Sequence, residues 1–184
     1  MSADRELVEA VLARRADAFE RLVREHQGLV AHIVFRLVRH ADDANELCQE
    51  TFLRIHRQLH QFRYASSLKA WIGRIAYTIA LRHLERHSAN AQTLASEGVL
   101  ESAGSGEDVE SVLETGESAA IVRAAVDALP PLQRMLVSLY HLEEISIPEI
   151  SAITGLPPGT IKSHLFRARR ELRHVLEERM GADG

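Results

Sequence analysis

Residues Ile145 to Arg173 read ISIPEISAITGLPPGTIKSHLFRARRELR, two short helices about a tight turn. Ser146 and Glu149 stand at capping-box spacing, so hydroxyl and carboxylate satisfy free N–H groups of the first turn. Ile150 and Ile153 supply the inward face of this first helix. Gly155 ends it where a left-handed residue is needed, and Pro157-Pro158 forbids continuation before a new start.

The second helix carries Ile161, Leu165, Ala168 and Leu172 as one apolar stripe. Thr160, Ser163, Arg167 and Arg170 repeat on another face, flanked by Lys162, Phe166, Arg169 and Arg173. A solvated helix has no need of Phe166 beside so many cations. A helix in the DNA major groove does: Lys and Arg neutralise phosphates and reach guanine edges, while a ring meets a thymine methyl. The pattern suggests a helix-turn-helix with the second helix as reader. Periodicity alone leaves an ordinary helical hairpin with a solvated basic face equally open.

Working outward, the 184-residue chain fits one domain or two small ones, and 46% hydrophobic with 5% aromatic residues points to aliphatic helix packing. No run approaches the roughly 18 to 20 apolar residues of a membrane span. The polar start Met1-Ser2-Ala3-Asp4 is unlike a secretory signal, and the single cysteine, Cys48, fits a reducing compartment. The expected location is cytoplasmic. A net charge of −4 looks wrong for a nucleic-acid binder until it is divided by segment. Residues 1–87 hold 14 Lys+Arg against 11 Asp+Glu, residues 88–118 none against 7, and residues 119–184 hold 8 against 8. The acidity sits in the middle.

Upstream, Glu6 to Ala13 is a short amphipathic piece, and Asp17 is a candidate cap for the next helix. Phe19, Leu22, Val23, Leu29, Val30, Ile33, Val34, Leu37 and Val38 then hold a helical period that Gly28 is placed to dent. Asp42 or Asp43 is expected to cap a helix with Ala44, Leu47, Cys48, Thr51, Ile55 and Leu59 on one face. Glu46, Gln49, Glu50, Arg54 and Arg57 lie on its other side. FRYASSL, Phe62 to Leu68, is a loop. A last long helix has Leu68, Trp71, Ile72, Ile75, Ile79 and Leu84 inward and Lys69, Arg74, Arg82 and Arg86 outward. No alternating strand pattern occurs, so the expected class is all-α.

Residues 88–118 mix glycines and serines with seven acids and few large apolar groups. They read as a flexible acidic linker, with transient helix near Val109 to Leu113. The expected organisation is a helical domain over 1–87, this linker over 88–118, and a second helical domain over 119–184. Within the second, Ala119 to Leu129 is helical, and Leu132, Met135, Leu136 and Leu139 form another helix under the opening motif. Met180 to Gly184 reads as frayed.

Two stretches now acquire a family likeness. DDANELCQETFLRIHRQLHQFRYASSLKAWIGRIA (Asp42–Ala76) and LPPLQRMLVSLYHLEEISIPEISAITGLPPGTIKSHLFRARREL (Leu129–Leu172) resemble regions 2 and 4 of bacterial sigma factors of the extracytoplasmic-function (ECF) group, minimal sigma-70 relatives. The resemblance implies a dissociable subunit of RNA polymerase that directs it to promoters. It implies that Glu46, Gln49, Glu50 and Arg54 dock on the clamp coiled coil of the largest polymerase subunit. Arg63, Tyr64, Ala65 and Ser66 would capture an unstacked base of the −10 element, with Lys69, Arg74, Thr78 and Arg82 tracking the non-template strand. Thr160, Lys162, Ser163, Phe166, Arg167 and Arg170 would read the −35 duplex. Single strands are held by cationic grooves and stacking or pocketing of bases, which suits the first set. Trp71, among Leu68, Ile72 and Ile75, is expected in the core rather than as a stacker. An anti-sigma factor is a further partner the resemblance implies. Four positions depart from the family pattern: Tyr64 stands where Gly is common, Thr78 where Asn is, His164 where Arg is, and Pro157 where Ser is.

His56/His60 and His83/His87 have the helical spacing of ligand pairs, but no neighbouring carboxylate or thiol completes a set. No metal or cofactor is expected. Cys48 has apolar neighbours at helical spacing and reads as a small core residue. No phosphate loop, Ser-His-Asp set or paired-carboxylate site occurs, so no catalysis is expected of this chain itself. Two other readings remain at this point. One is a regulator of the response-regulator output type, which TIKSHLFRARREL also resembles, although no strand–helix receiver pattern precedes it. The other is a helical adaptor that does not touch DNA, against which the separated basic faces count.

Overall fold

The computed structural model describes residues 2–87 and 116–181. Among them the chain forms eight α-helices and no strand: α1 (Ala3–Leu12), α2 (Ala18–Leu37), α3 (Ala41–Gln58), α4 (Leu68–His87), α5 (Gly116–Ala128), α6 (Pro131–Val137), α7 (Ile147–Thr154) and α8 (Pro158–Gly181). A 3₁₀ turn, Leu59–Gln61, follows α3, and a π-helical turn, Ser138–Leu142, extends α6. The all-α class holds. The transient helix expected near Val109 to Leu113 lies outside the described residues, and α5 begins at Gly116, inside the stretch read as linker.

In the first half α2, α3 and α4 pack on one another, with α1 against α2. Leu22, Ile33, Ile55, Leu68 and Ile72 are fully buried between them. In the second half α8 is the common support for α5, α6 and α7. Its stripe Ile161, Leu165, Ala168 and Leu172 is buried as the period requires.

Helix ends follow local chemistry, with three corrections. Asp17 occupies the position before α2 but is left-handed (φ 61°) and makes no side-chain cap. The cap of α3 is His40, whose Nδ1 accepts the Asp43 N–H, while Asp42 and Asp43 sit in the first turn, where carboxylates favour the helix dipole. At the other end α8 includes Met180 and Gly181, while 182–184, the rest of the stretch read as frayed, lie outside the described residues. Gly28 is exposed, and α2 runs through it without a break.

The two halves share one hydrophobic core. α7 lies on α4, and α6 with its π turn lies on α2. This burial gives α4 a second inward face that its sequence does not advertise: Ala70, Gly73, Tyr77 and Ala80 are buried, while Trp71, Ile75 and Leu84, read as inward, are half-buried. Burial, and then Glu85, pushes the Tyr77 phenol pKa up. Small residues let the backbones approach. A Cβ on Gly73 would stand 2.8 Å from Cγ1 of Ile153. Polar contacts finish the seam. His32 Nε2 is 3.0 Å from Glu143 Oε1. Arg134, only 3% exposed, donates from Nε to the Arg36 carbonyl at 2.6 Å and from Nη1 to the Asp127 carbonyl at 3.0 Å. One guanidinium thus satisfies carbonyls at the C-terminal ends of α2 and α5, which have no acceptor role left within their own helices.

Candidate nucleic-acid and polymerase interfaces

Three surfaces gather the residues singled out from sequence. The first is the outer side of α3. Glu46, Gln49 and Glu50 are exposed there, and Arg54 is half-buried, its Nη2 3.4 Å from Glu50 Oε1. Buried Ala44, Leu47, Thr51 and Ile55 hold the opposite side, so the helix can present only this face. Leu53, which the sequence reading passed over, is 57% exposed amid the charges. An apolar side chain left in water between ionised neighbours suits a protein contact, where a desolvated centre ringed by polar groups supplies most of the energy. The signal was present, since Leu53 falls outside the apolar stripe.

A small cleft of about 110 Å³, lined by Glu50, Arg54, Ile79, Arg82 and Arg86, joins this face to α4. It leads to the second surface, the loop before α4 and the outer side of that helix. Arg63, Tyr64, Ala65 and Ser66 are exposed, as are Arg74 and Arg82, while Lys69 and Thr78 are half-buried. Thr78 turns its hydroxyl back to the Arg74 carbonyl at 2.8 Å. Tyr64 has φ 58°, a left-handed conformation that explains why glycine suits this position. Its ring is held at 4.7 Å from Phe62, with the Arg5 guanidinium 4.9 Å above it. Phe62 in turn packs at 5.4 Å from half-buried Trp71, consistent with a core role for that indole. Three residues missed from sequence fix this loop. Ser67 Oγ accepts the Ala70 N–H at 3.0 Å, and Asp4 Oδ2 accepts the Leu68 N–H at 3.1 Å. Arg5 is the third. Asp4 and Arg5 lie about sixty residues away along the chain, so only the placement of α1 brings them here.

The third surface is α8 with its preceding turn. Ser146 Oγ accepts the Glu149 N–H at 3.3 Å, and Gly155 is left-handed at φ 75°, as the motif requires. The turn is stitched by two hydroxyls the sequence reading left unused: Ser151 Oγ donates to the Leu156 carbonyl at 2.7 Å, and Thr154 Oγ1 accepts the Leu156 N–H at 3.2 Å. Lys162, Phe166 and Arg170 are exposed, and Thr160 and Arg167 half-buried. Ser163 is set apart from these: it is 7% exposed and donates to the Gly159 carbonyl at 3.0 Å. His164 is also buried. Beside the reader face runs a groove of about 850 Å³ between the α5–α6 turn and α8, with Arg167, Arg170 and Arg173 along one wall.

The histidine pairs acquire ordinary neighbours. His83 and His87 stack at 4.2 Å, His87 Nδ1 lies 2.9 Å from the His83 carbonyl, and His56 meets the edge of Phe19. Among the described residues no group of three potential ligands is arranged to hold a metal ion. Cys48 is half-buried, and burial raises its thiol pKa. No described helix is long and apolar enough to cross a membrane.

Comparison with known proteins agrees with this geometry. The sigma-70 region 2 family model matches residues 22–90, and the sigma-70 region 4 model matches residues 119–172. The ECF RNA polymerase sigma-E factors of Salmonella typhimurium and Escherichia coli are each 33% identical over 182 residues, 95% of this chain and 94% of theirs. The ECF RNA polymerase sigma factor SigE of Mycolicibacterium smegmatis is 30% identical over 86% of this chain and 62% of its own length. Among solved structures, CnrH in complex with the cytosolic domain of CnrY superposes with a TM-score of 0.67 at 23% identity, covering 96% of this chain and 99% of that one. The sigma factor RpoE in complex with the anti-sigma factor NepR from Bartonella quintana gives 0.65 at 22% identity, over 88% and 98%.

Proposed function

Because the chain belongs to the sigma-70 family, in its ECF group, it is an alternative sigma factor that binds core RNA polymerase and directs promoter-specific initiation, and we propose how its surfaces divide that work. Residues 1–87 hold polymerase and the −10 element, residues 119–184 hold the −35 element, and the acidic stretch 88–118 joins them. Glu46, Gln49, Glu50 and Arg54, with Leu53 at their centre, dock on the clamp coiled coil of the largest polymerase subunit. Arg63, Tyr64, Ala65 and Ser66 take an unstacked base, and Lys69, Arg74, Thr78 and Arg82 follow the non-template strand. Opening a duplex costs a few kcal/mol per disrupted step, so these groups must bind the separated form better than the paired one. Thr160, Lys162, Ser163, Phe166, Arg167 and Arg170 approach the −35 duplex from the major groove. Ser163 reaches it only if its hydroxyl leaves the Gly159 carbonyl.

The observation that carries this division is the placement of two exposed cationic surfaces on opposite halves of the chain, each fixed by its own buried helical stripe. Catalysis belongs to polymerase, and the protein acts in the cytoplasm, where polymerase and chromosome are. An anti-sigma factor is a partner of the same kind as the one seen with the structurally similar RpoE. Run-off transcription with purified core enzyme tests the reading. The full chain should confer initiation at start sites that core alone does not use, and Arg74→Ala with Arg82→Ala should abolish it from duplex templates. On a template already melted around the start site the same variant should recover, because it would no longer have to capture the strand. Equal activity of parent and variant on duplex templates would remove these residues from the scheme.

A further inference from the structure

Where the end of α2 meets the α5–α6 turn, the guanidiniums of Arg36, Arg39 and Arg134 converge on Asp127, the first on its carboxylate and the other two on its backbone carbonyl. Arg36 Nη1 stands 3.0 Å from Asp127 Oδ1, and Arg39 Nη2 donates to the Asp127 carbonyl at 2.8 Å. Arg134 spends Nε and Nη1 on backbone carbonyls, while its Nη2 meets no acceptor among the described residues. Burial, then the charge of Arg39, pulls the Arg134 pKa down, and Asp127 offsets that only in part. Three cations face the Asp127 carboxylate and the ends of two helix dipoles, each equivalent to about half a negative charge, and His32, paired with Glu143, stands on the same wall, so the arginines carry roughly one positive charge more than the groups they touch. The groups line a cavity of about 510 Å³, within the usual size of small-ligand pockets. Phe35, 41% exposed, forms part of its wall.

Helix capping accounts for Arg134. Arg39 caps the same Asp127 carbonyl and Arg36 pairs with the Asp127 carboxylate, but neither contact accounts for the excess of guanidinium over carboxylate, or for an aromatic ring kept partly in water at the same cavity. Guanidinium forks match phosphate oxygens, and a flat ring offers a stacking surface. We propose that this cavity binds a small phosphorylated molecule of nucleotide size, its phosphates bridging Arg36 and Arg39 and its planar base lying on Phe35. Arg36, Arg39 and Phe35 come from the first half of the chain, and Asp127 and Arg134 from the second. The complete site therefore exists only while the halves are packed together. A ligand that binds this arrangement better than the parted one shifts the population toward it, and so restrains promoter binding.

The test is calorimetric titration of the full chain with adenosine diphosphate, inorganic pyrophosphate and adenosine, at an ionic strength held constant with chloride. The diphosphate should bind saturably at one site, pyrophosphate about tenfold more weakly, and adenosine not measurably. Arg39→Ala, an exposed position, should lower diphosphate affinity about tenfold. Asp127→Asn should raise it by freeing Arg36, and Arg15→Ala, on a remote exposed turn, should leave it unchanged. Phe35→Ala should bring the diphosphate down to the level of pyrophosphate. A binding heat that chloride abolishes equally for the diphosphate and for pyrophosphate, or equal affinity in Arg39→Ala and parent protein, would overturn the site. So would saturable binding of an acidic peptide when neither phosphate compound binds, which would assign the surface to a protein instead.

Discussion

Gly73 of α4 and Ile153 of α7 stand so close that a methyl group on the glycine would lie 2.8 Å from Cγ1 and 2.9 Å from Cδ1 of the isoleucine. Ile153 is 1% exposed and packed on all sides, so it has little room to withdraw. The contact joins the half proposed to hold the −10 element to the half proposed to hold the −35 element. Gly73→Leu should therefore part the seam rather than fill it. Overpacking of this kind costs about 1–3 kcal/mol. Small-angle scattering of the variant should show a larger radius of gyration, with helical circular dichroism unchanged. An unaltered radius would mean that the seam absorbs the leucine without opening.

The proposed docking face gives a separate expectation. Glu50→Arg reverses an exposed charge and places it beside Arg54, now without its 3.4 Å partner. Surface changes of this type alter folding stability by less than about 0.5 kcal/mol. Co-elution with core polymerase should fall sharply while the melting temperature stays put. Leu53→Asp should have the same effect without touching any ion pair.

On α8, Arg167→Ala should weaken binding to a promoter that depends on its −35 element. A bidentate guanidinium–guanine contact is worth about 1–3 kcal/mol of base discrimination. The measurement is competition between duplexes that differ at single −35 positions. Uniform weakening across all of them would make Arg167 a phosphate contact instead.

Asp4→Ala removes the carboxylate that accepts the Leu68 N–H at 3.1 Å. Loss of a helix cap costs about 0.5–2 kcal/mol, with Ser67 still in place to limit it. The larger effect should fall on the loop before α4, and the check is the affinity for single-stranded −10 DNA. Affinity equal to that of the parent protein would confine Asp4 to a stabilising role.

Acid should loosen the protein through two histidines. Burial holds the His26 pKa below its ordinary value against the pull of Glu25 and Asp4, and burial, then Arg169, does the same for His141. Both are more easily protonated in the unfolded chain, where an imidazole titrates at about 6.5. Their contribution to stability is complete above that pH and is lost as the pH falls toward their folded values. Urea unfolding between pH 7.5 and 5.5 should show the decline, and the double variant His26→Gln/His141→Gln should flatten it.

Elements with their own short-range signals were legible without coordinates. Ser146, Glu149 and Gly155 delimit α7 because capping and left-handed turns are settled within four residues. The stripe Ile161, Leu165, Ala168 and Leu172 fixed which side of α8 faces inward, and hence which side carries Lys162, Phe166 and Arg170. Asp42 and Asp43 misled for a related reason: both are good caps by type, and the imidazole of His40, two residues ahead of Asp42, took the position.

The sequence by itself determined the helical class and the family, and marked the residues of the three candidate surfaces, because periodicity, caps and motif spacing are written locally. Only the tertiary structure decided that α4 is buried on two sides, that Asp4 and Arg5 support a loop about sixty residues away, and that Arg36, Arg39 and Arg134 converge. Those features depend on which helices meet. Small residues such as Ala70, Gly73 and Ala80 carry almost no hydrophobic signal of their own, and become informative only when a second helix lies close enough to need their lack of bulk.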